Sequence, residues 1–179
     1  GGRALVMVRF ALGRPNALDR RPKKLARFIP AFSVGAASML SLLPIVAQLG
    51  WVPDFGLLML LAWRLMRNDV IPAWWAAPLG LFNDLVTGLP IGFSVVVWTA
   101  AMIALDLLDR RTMWRDYWIE WGLAAALLLA AEAFRWQVDA AMGAPYPFQL
   151  VLAPLLIAIL TFPLAAWAAS AIDRWRLGR

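Results

Sequence analysis

The chain has 179 residues, of which 63% are apolar and 16% are charged, and its formal net charge is +6. Soluble domains average only about 45–50% apolar residues, so this composition, with a mean hydropathy of +0.70, argues against a water-soluble fold. The sequence has no cysteine and no histidine, which excludes disulfides, thiolate or HExxH metal sites and Ser–His–Asp triads. We therefore predict a small, basic membrane protein that is not an enzyme and needs no cofactor.

Six apolar runs reach or approach the roughly 20 residues that a membrane-spanning helix needs. Their continuous apolar character favours helices over the alternating strands of a membrane barrel. Proline is predicted in the first turn of three of these helices, at Pro53, Pro72 and Pro90. The second and third runs are the shortest, so a re-entrant pair is the alternative to two full spans. The six predicted spans are residues 29–49, 52–66, 71–86, 89–108, 117–138 and 148–172.

The distribution of basic residues predicts the orientation of these spans. Six spans place sixteen of the 17 basic residues on one side, with only Arg135 on the other. Short loops rich in Lys and Arg stay in the cytoplasm, so both termini are predicted to be cytoplasmic. The domains are then a basic N-terminal tail (1–28), a six-helix membrane domain (29–175) and a short basic C-terminal tail (176–179). The N-terminal tail is expected to attract anionic lipids, whereas no nucleic-acid-binding motif accompanies it.

Asp84 is the most interesting charged residue within a predicted span, because charges there are expensive and often functional. Gly80, Asp84 and Gly88 are spaced by four, which places them on one helical face if the helix continues that far. Two structures would provide hydrogen-bond donors for this carboxylate. The first is a set of backbone N–H groups in the 87–92 turn, and the second is a partner chain packed over the glycines.

Other polar residues suggest structural roles. Glu132 and Arg135 are three residues apart in the fifth span, so they are predicted to form an ion pair. Asp106 and Asp109 are predicted to lie at a solvated helix end. Trp98 lies in the middle of a span, where it either faces lipid or fills a gap between helices. A stripe of small residues on the fifth span predicts a helix–helix contact, at Gly122, Ala126 and Ala130.

The order and spacing of several motifs resemble the MreD family of bacterial rod shape-determining membrane proteins. That family shows a Pro-Asp-like start to its second span, a Gly-x-x-x-Asp-x-x-x-Gly stretch, and Pro-x-Gly before the fourth span. The six predicted spans also match the family, so the resemblance covers roughly residues 29–175. In this chain the motifs are Pro53–Asp54, Gly80–Asp84–Gly88 and Pro90–Gly92.

The resemblance implies a multi-pass protein of the bacterial inner membrane within the cell-elongation complex. It would bind an MreC-like protein and, indirectly, RodA and a penicillin-binding transpeptidase, with the motif residues engaged in partner binding or helix packing. The family also resembles the six-helix substrate-binding subunits of energy-coupling-factor transporters, which supplies the alternative function. The short predicted outer loops argue against a covered vitamin pocket.

Two further functional classes are disfavoured by the residues themselves. An intramembrane aspartyl protease needs two facing aspartates, whereas Asp84 and Asp106 are predicted at opposite ends of the membrane. A proton-coupled transporter would need more polar residues near the midplane than this chain offers.

Overall fold

The computed structural model describes residues 24–43, 52–67, 69–109 and 116–177. These residues form helices and connecting turns without any strand, which confirms the all-α prediction. Each predicted apolar run contains one helix, although residues 44–49 of the first run lie outside the described part. So do most of the basic N-terminal tail and residues 110–115. The six helices are α1 (Ile29–Met39), α2 (Phe55–Met66), α3 (Ala76–Thr87), α4 (Phe93–Asp109), α5 (Tyr117–Ala141) and α6 (Gln149–Leu177).

The helices differ greatly in length. Of the described helices, α5 with 25 residues and α6 with 29 are long and apolar enough to cross a membrane. The 12 residues of α2 and the 12 of α3 extend over only about 18 Å each. A bilayer core is about 30 Å thick, so neither of these two helices matches it by itself. A 3₁₀ turn lengthens α3 at its start (Ala73–Trp75), and another lengthens α1 at its end (Leu40–Leu42).

The core is built around α2, which packs against α1 and α6. Nine of its 12 residues are buried, including Leu60, Leu61 and Trp63. A helix that is apolar on every side is stable only when other helices surround it, and this explains its central position. Helix α3 packs mainly on α4 and also on α1, whereas α5 packs on α6.

The helix ends follow local sequence signals, with one systematic difference from the prediction. Asp54 is the N-cap of α2, and Gly88 ends α3 in the left-handed conformation at φ +71°. The prolines precede the helices and do not lie in their first turns. Pro53 comes before the N-cap of α2, and Pro90 lies in the turn before α4. Each proline still fixes φ where the chain enters the helix, which explains why it is a useful signal.

Helix α6 contains two prolines, and one of them shapes its contact with α5. Pro163 has no N–H group, so the carbonyl of Ile159, four residues earlier, has no helical donor. Trp121 of α5 supplies one, because its Nε1 donates to that carbonyl at 3.0 Å. The helix continues to Leu177, so Arg176, expected in the C-terminal tail, is helical.

The outward faces of α5 and α6 are strongly apolar and exposed within the described part of the chain. Only Ala124 and Leu128 of α5 are buried, while Leu160 and Leu164 of α6 are more than half exposed. The predicted small-residue stripe lies on this outward face, since a Cβ added at Gly122 meets no atom within 4 Å. The stripe therefore makes no helix contact within the described part of the chain.

Candidate functional site

Three of the helix ends that carry the motif residues meet at one end of the structure. One carboxylate oxygen of Asp54 accepts the N–H of Leu57 at 3.0 Å and so caps α2. The other oxygen accepts Asn83 Nδ2 at 3.2 Å and Trp98 Nε1 at 3.4 Å. Asn83 Nδ2 also donates to Ser94 Oγ at 3.0 Å. Asp54 thus connects the start of α2 to the end of α3 and to the first half of α4.

Asp84 is held by backbone donors at the start of α4. Its two oxygens accept the N–H groups of Gly92 and Ser94, each at 2.8 Å. An anion at a helix N-terminus is favoured, because the first N–H groups of a helix have no partner within it. Gly92 belongs to the predicted 87–92 turn, so one donor is of the kind that the turn alternative required, whereas the second donor, Ser94, lies in the first turn of α4. We refer to Asp54, Asn83, Asp84, Ser94 and Trp98 together as the capping network.

The capping network is buried, and its side chains are mostly satisfied. Asn83, Asp84, Ser94 and Trp98 are each at most 1% exposed. Trp98 thus fills a gap between helices and does not face lipid. An unsatisfied polar group at such a site would cost about 1–3 kcal/mol, so these hydrogen bonds fix the relative positions of α2, α3 and α4.

Gly80 and Gly56 allow these helices to approach closely. A Cβ at Gly80 would lie 2.8 Å from the backbone of Ser94 and Val95 in α4. A Cβ at Gly56 would lie 2.7 Å from the Trp98 ring. Neither contact leaves room for a side chain, since 2.8 Å is well below a normal carbon–carbon contact. Gly80 therefore belongs to a packed contact between neighbouring helices of this chain.

Gly88 and Gly92 were also predicted to take part in partner binding or helix packing, but they have a different role from Gly80. Helix α3 ends at Thr87, so Gly88 does not continue the face of Gly80 and Asp84, and the predicted three-residue face is wrong at its last position. A Cβ at Gly88 or at Gly92 would meet nothing within 4 Å. Both have positive φ, +71° and +98°, a conformation that glycine adopts without a steric penalty. With Pro90, they shape the turn that brings the first N–H groups of α4 to Asp84.

The predicted ion pair between Glu132 and Arg135 is not formed among the described residues. No contact within 4.0 Å joins the two side chains, although Arg135 is the favourable charge that acts on Glu132. Arg135 also acts on Asp54 and on Tyr146 of the following loop. Arg135 therefore acts on these groups at longer range than a direct ion pair.

The loop after α5 is held to the end of that helix by two hydrogen bonds. Trp136 Nε1 donates to the Tyr146 carbonyl at 2.8 Å, and the Tyr146 hydroxyl donates to Asp139 at 3.1 Å. Burial raises the pKa of the Tyr146 phenol, and the neighbouring Asp139 carboxylate raises it further. The loop between α5 and α6 is therefore held by its own polar contacts.

A second polar cluster, at the opposite end, was not predicted from the sequence. Arg64 of α2 is buried and forms ion pairs with two residues of α4, Asp106 and Asp109, the latter at 2.9 Å. These aspartates are therefore not a simple solvated helix end. Asp173 of α6 binds Arg176 at 2.5 Å and Arg67 at 3.3 Å. We call these six residues the arginine–aspartate cluster.

The sequence contained a usable signal for this cluster. Arg64 stands between Trp63 and Leu65 inside an apolar run, where an unpaired charge is costly and an acidic partner is expected. Asp106 and Asp109 are three apart and share one face of α4. Outside the helices, Asp69 also contacts Arg67, whose guanidinium lowers the pKa of that carboxyl.

The two polar clusters lie at opposite ends of α2 and so define the direction of the helices. The start of α2, the end of α3 and the start of α4 meet in the capping network. The ends of α2, α4 and α6 carry the arginine–aspartate cluster. Helices α2, α4 and α6 therefore run in one direction and α3 runs in the other.

Comparisons with known proteins do not extend this description. No protein-family model, curated protein or solved structure matches the chain. The MreD resemblance therefore depends on the sequence motifs and their spacing.

Proposed function

We propose that this chain is a multi-pass inner-membrane component of the bacterial cell-elongation machinery, of the MreD type. It binds an MreC-like membrane protein and in this way supports the regulation of peptidoglycan synthesis by RodA and its transpeptidase partner. It performs no catalysis. The observation that carries the proposal is the convergence of the motif residues on one end of the structure, where their carboxylates accept hydrogen bonds; these residues are Pro53–Asp54, Gly80–Asp84 and Pro90–Gly92.

This convergence favours a structural role for the motifs. The Asp54 and Asp84 carboxylates already accept hydrogen bonds from Leu57, Asn83, Gly92 and Ser94. Groups engaged in this way hold helices together and are poorly placed to react with a substrate. A rigid scaffold with wide apolar outer faces suits a protein that works by binding other membrane helices.

The proposed topology has six membrane segments with both termini in the cytoplasm. It is supported by the opposite directions of neighbouring helices and by the position of the basic residues. Arg64, Arg67, Arg174 and Arg176 all lie at the arginine–aspartate end, whereas Arg135 belongs to the other. Alkaline phosphatase fused after residue 88 should be active, and a fusion after residue 111 should be inactive. The reverse pattern would contradict the topology.

The alternative function is a substrate-binding subunit of an energy-coupling-factor-type transporter. Such a subunit holds a small molecule at its outer face, which in this topology is the capping-network end. The side chains there are engaged with each other. A cavity of about 320 Å³ among the described residues is not lined by these side chains and lies near the arginine–aspartate cluster, between α2, α5 and α6. This arrangement favours the scaffold over the transporter subunit.

Depletion of the protein in its rod-shaped host tests the proposal. Cells should become round, and an MreC-like protein should co-purify with the tagged chain from native membranes. A plasmid copy of the wild-type gene should restore the rod shape, which controls for effects on neighbouring genes. Retention of the rod shape on depletion, together with tight binding of a vitamin by the purified protein, would replace this function with the transporter alternative.

A further inference from the structure

The cavity of about 320 Å³ lies between the two membrane-length helices and α2. Its volume is at the lower end of the range for small-molecule sites, about 300–1,000 Å³. It is built largely of apolar side chains, among them Leu65 of α2 and Phe162 and Trp167 of α6. Such a space within a membrane protein is suited to a hydrocarbon ligand.

The lining changes from apolar to polar along the helices. Its apolar end is at Phe162 and Pro163, and its polar end is at Ser170 of α6 and Tyr117, the first residue of α5. Eight residues of helix separate Phe162 from Ser170, or about 12 Å. The polar end is the nearer one to the arginine–aspartate cluster, which the proposed topology places on the cytoplasmic side. The gradient thus follows that of a lipid, with the tail deep and the head group at the surface.

Pro163 of α6 lies in the lining of this space. Proline cannot continue the hydrogen-bond ladder, and its ring clashes with the carbonyl of the preceding turn. Trp121 binds that carbonyl, of Ile159, and holds α5 to α6 just above the cavity. The cavity is lined by α5, α6 and the short helix α2.

A cation, Arg174, contacts Ser170 at the polar end of the cavity, and exposed tryptophans lie on the same parts of α5 and α6. Nη1 of Arg174 donates to Ser170 Oγ at 3.2 Å, and among the described residues this exposed arginine forms no ion pair. Trp118, Trp167 and Trp175 are 72%, 66% and 76% exposed. Exposed tryptophans at a helix end mark the level of lipid head groups.

We infer that the cavity binds one acyl chain of a phospholipid from the cytoplasmic leaflet, with its phosphate against Arg174. Arg174 is a single cation beside the lining, so a head group with several negative charges is disfavoured. A phosphodiester with one negative charge is the best match. The inference requires the membrane location but no protein partner, so it goes beyond the proposed function.

Filling the cavity tests where the lipid binds. The full chain is purified in a mild detergent, incubated with palmitoyl-oleoyl phosphatidylglycerol and examined by native mass spectrometry. The wild type should retain one phospholipid, and Ala166→Phe should lose it because the new ring fills the cavity. Ala153→Phe makes the same change at an exposed position of α6 and should retain the lipid. Equal retention by both variants would overturn the inference.

A charge variant tests the phosphate contact. It also tests phospholipid binding if Ala166→Phe does not fold. Arg174→Gln changes an exposed residue and should weaken phosphatidylglycerol binding about fivefold, since a surface arginine near a head group contributes about 1 kcal/mol. Binding of the uncharged diacylglycerol with the same chains should be unchanged, and Arg174→Lys should restore most of the affinity. An equal effect on both lipids, or on neither, would refute the phosphate contact.

Discussion

Replacing Asp84 by asparagine tests the capping network most directly. The carboxylate accepts two backbone N–H groups at 2.8 Å, from Gly92 and Ser94, with the residue 1% exposed. An asparagine side chain keeps one acceptor oxygen, and its NH₂ group would face the other N–H donor. One charge-assisted hydrogen bond is lost, worth about 1.5–3 kcal/mol, and a buried donor is left without a partner. We expect the free energy of unfolding to fall by about 2–4 kcal/mol.

The assay is thermal unfolding of the purified chain in detergent, followed by the loss of helical circular dichroism. Asp116→Asn is the matched control, because Asp116 is an exposed N-cap of α5 that makes no capping hydrogen bond. The control should unfold close to the wild type, whereas Asp84→Asn should unfold several degrees lower. If the isolated Asp84→Asn protein were as stable as the control and lost only its partner, the partner alternative would be correct and this account of Asp84 wrong.

Three further changes test other contacts. Gly80→Ala should lower the free energy of unfolding by about 1–2 kcal/mol, because its Cβ would lie 2.8 Å from the α4 backbone. Gly122→Ala is the control: the space around it is open, so the stability measured by circular dichroism should be unchanged or higher. Arg64→Met should lower the unfolding midpoint in the same assay, because it removes the cation shared by two aspartates. The expected loss of stability is about 1–3 kcal/mol, less than for a fully buried pair because one aspartate is 42% exposed. An unchanged midpoint would mean that water replaces the arginine. The pKa of Tyr146 is raised in the folded protein, so its contribution to stability is complete below the usual phenol pKa of about 10. This contribution is lost as the pH rises through the higher pKa of the folded state. Phenolate absorbance should show the titration of Tyr146, and Asp139→Asn should move that titration to lower pH.

The sequence was sufficient to predict the helices and one contact of the candidate site. Apolar runs predicted all six helices, because burial or membrane insertion requires continuous apolar surface. The turn donors of Asp84 were foreseeable as well, since proline and glycine follow it within eight residues. Asn83 was missed, although it is next to Asp84 in the sequence. Its side chain donates to Asp54 and to Ser94, and the Ser94 N–H donates to Asp84.

The remaining contacts depend on how distant helices pack, which spacing along one helix does not reveal. Glu132 and Arg135 have the spacing of an ion pair, yet no salt bridge joins them among the described residues. Arg64 finds its partners 42 and 45 positions further along the chain, at Asp106 and Asp109. The spacing of residues along a helix predicts which of them share a face of that helix. It does not predict which other helix packs against that face.

The short distance between the two polar clusters explains why at least one of them must find its polar partners within the protein. Asp54 and Arg64 are ten residues apart on α2, or about 15 Å along its axis. A bilayer core is about 30 Å thick, so in the proposed topology at least one cluster lies at the depth of the hydrocarbon. Lipid supplies no hydrogen bonds there, and short helices are tolerated at that depth only when protein surrounds them. The burial of α2 by α1 and α6, and the capping of its two ends by polar partners from other helices, meet both requirements at once.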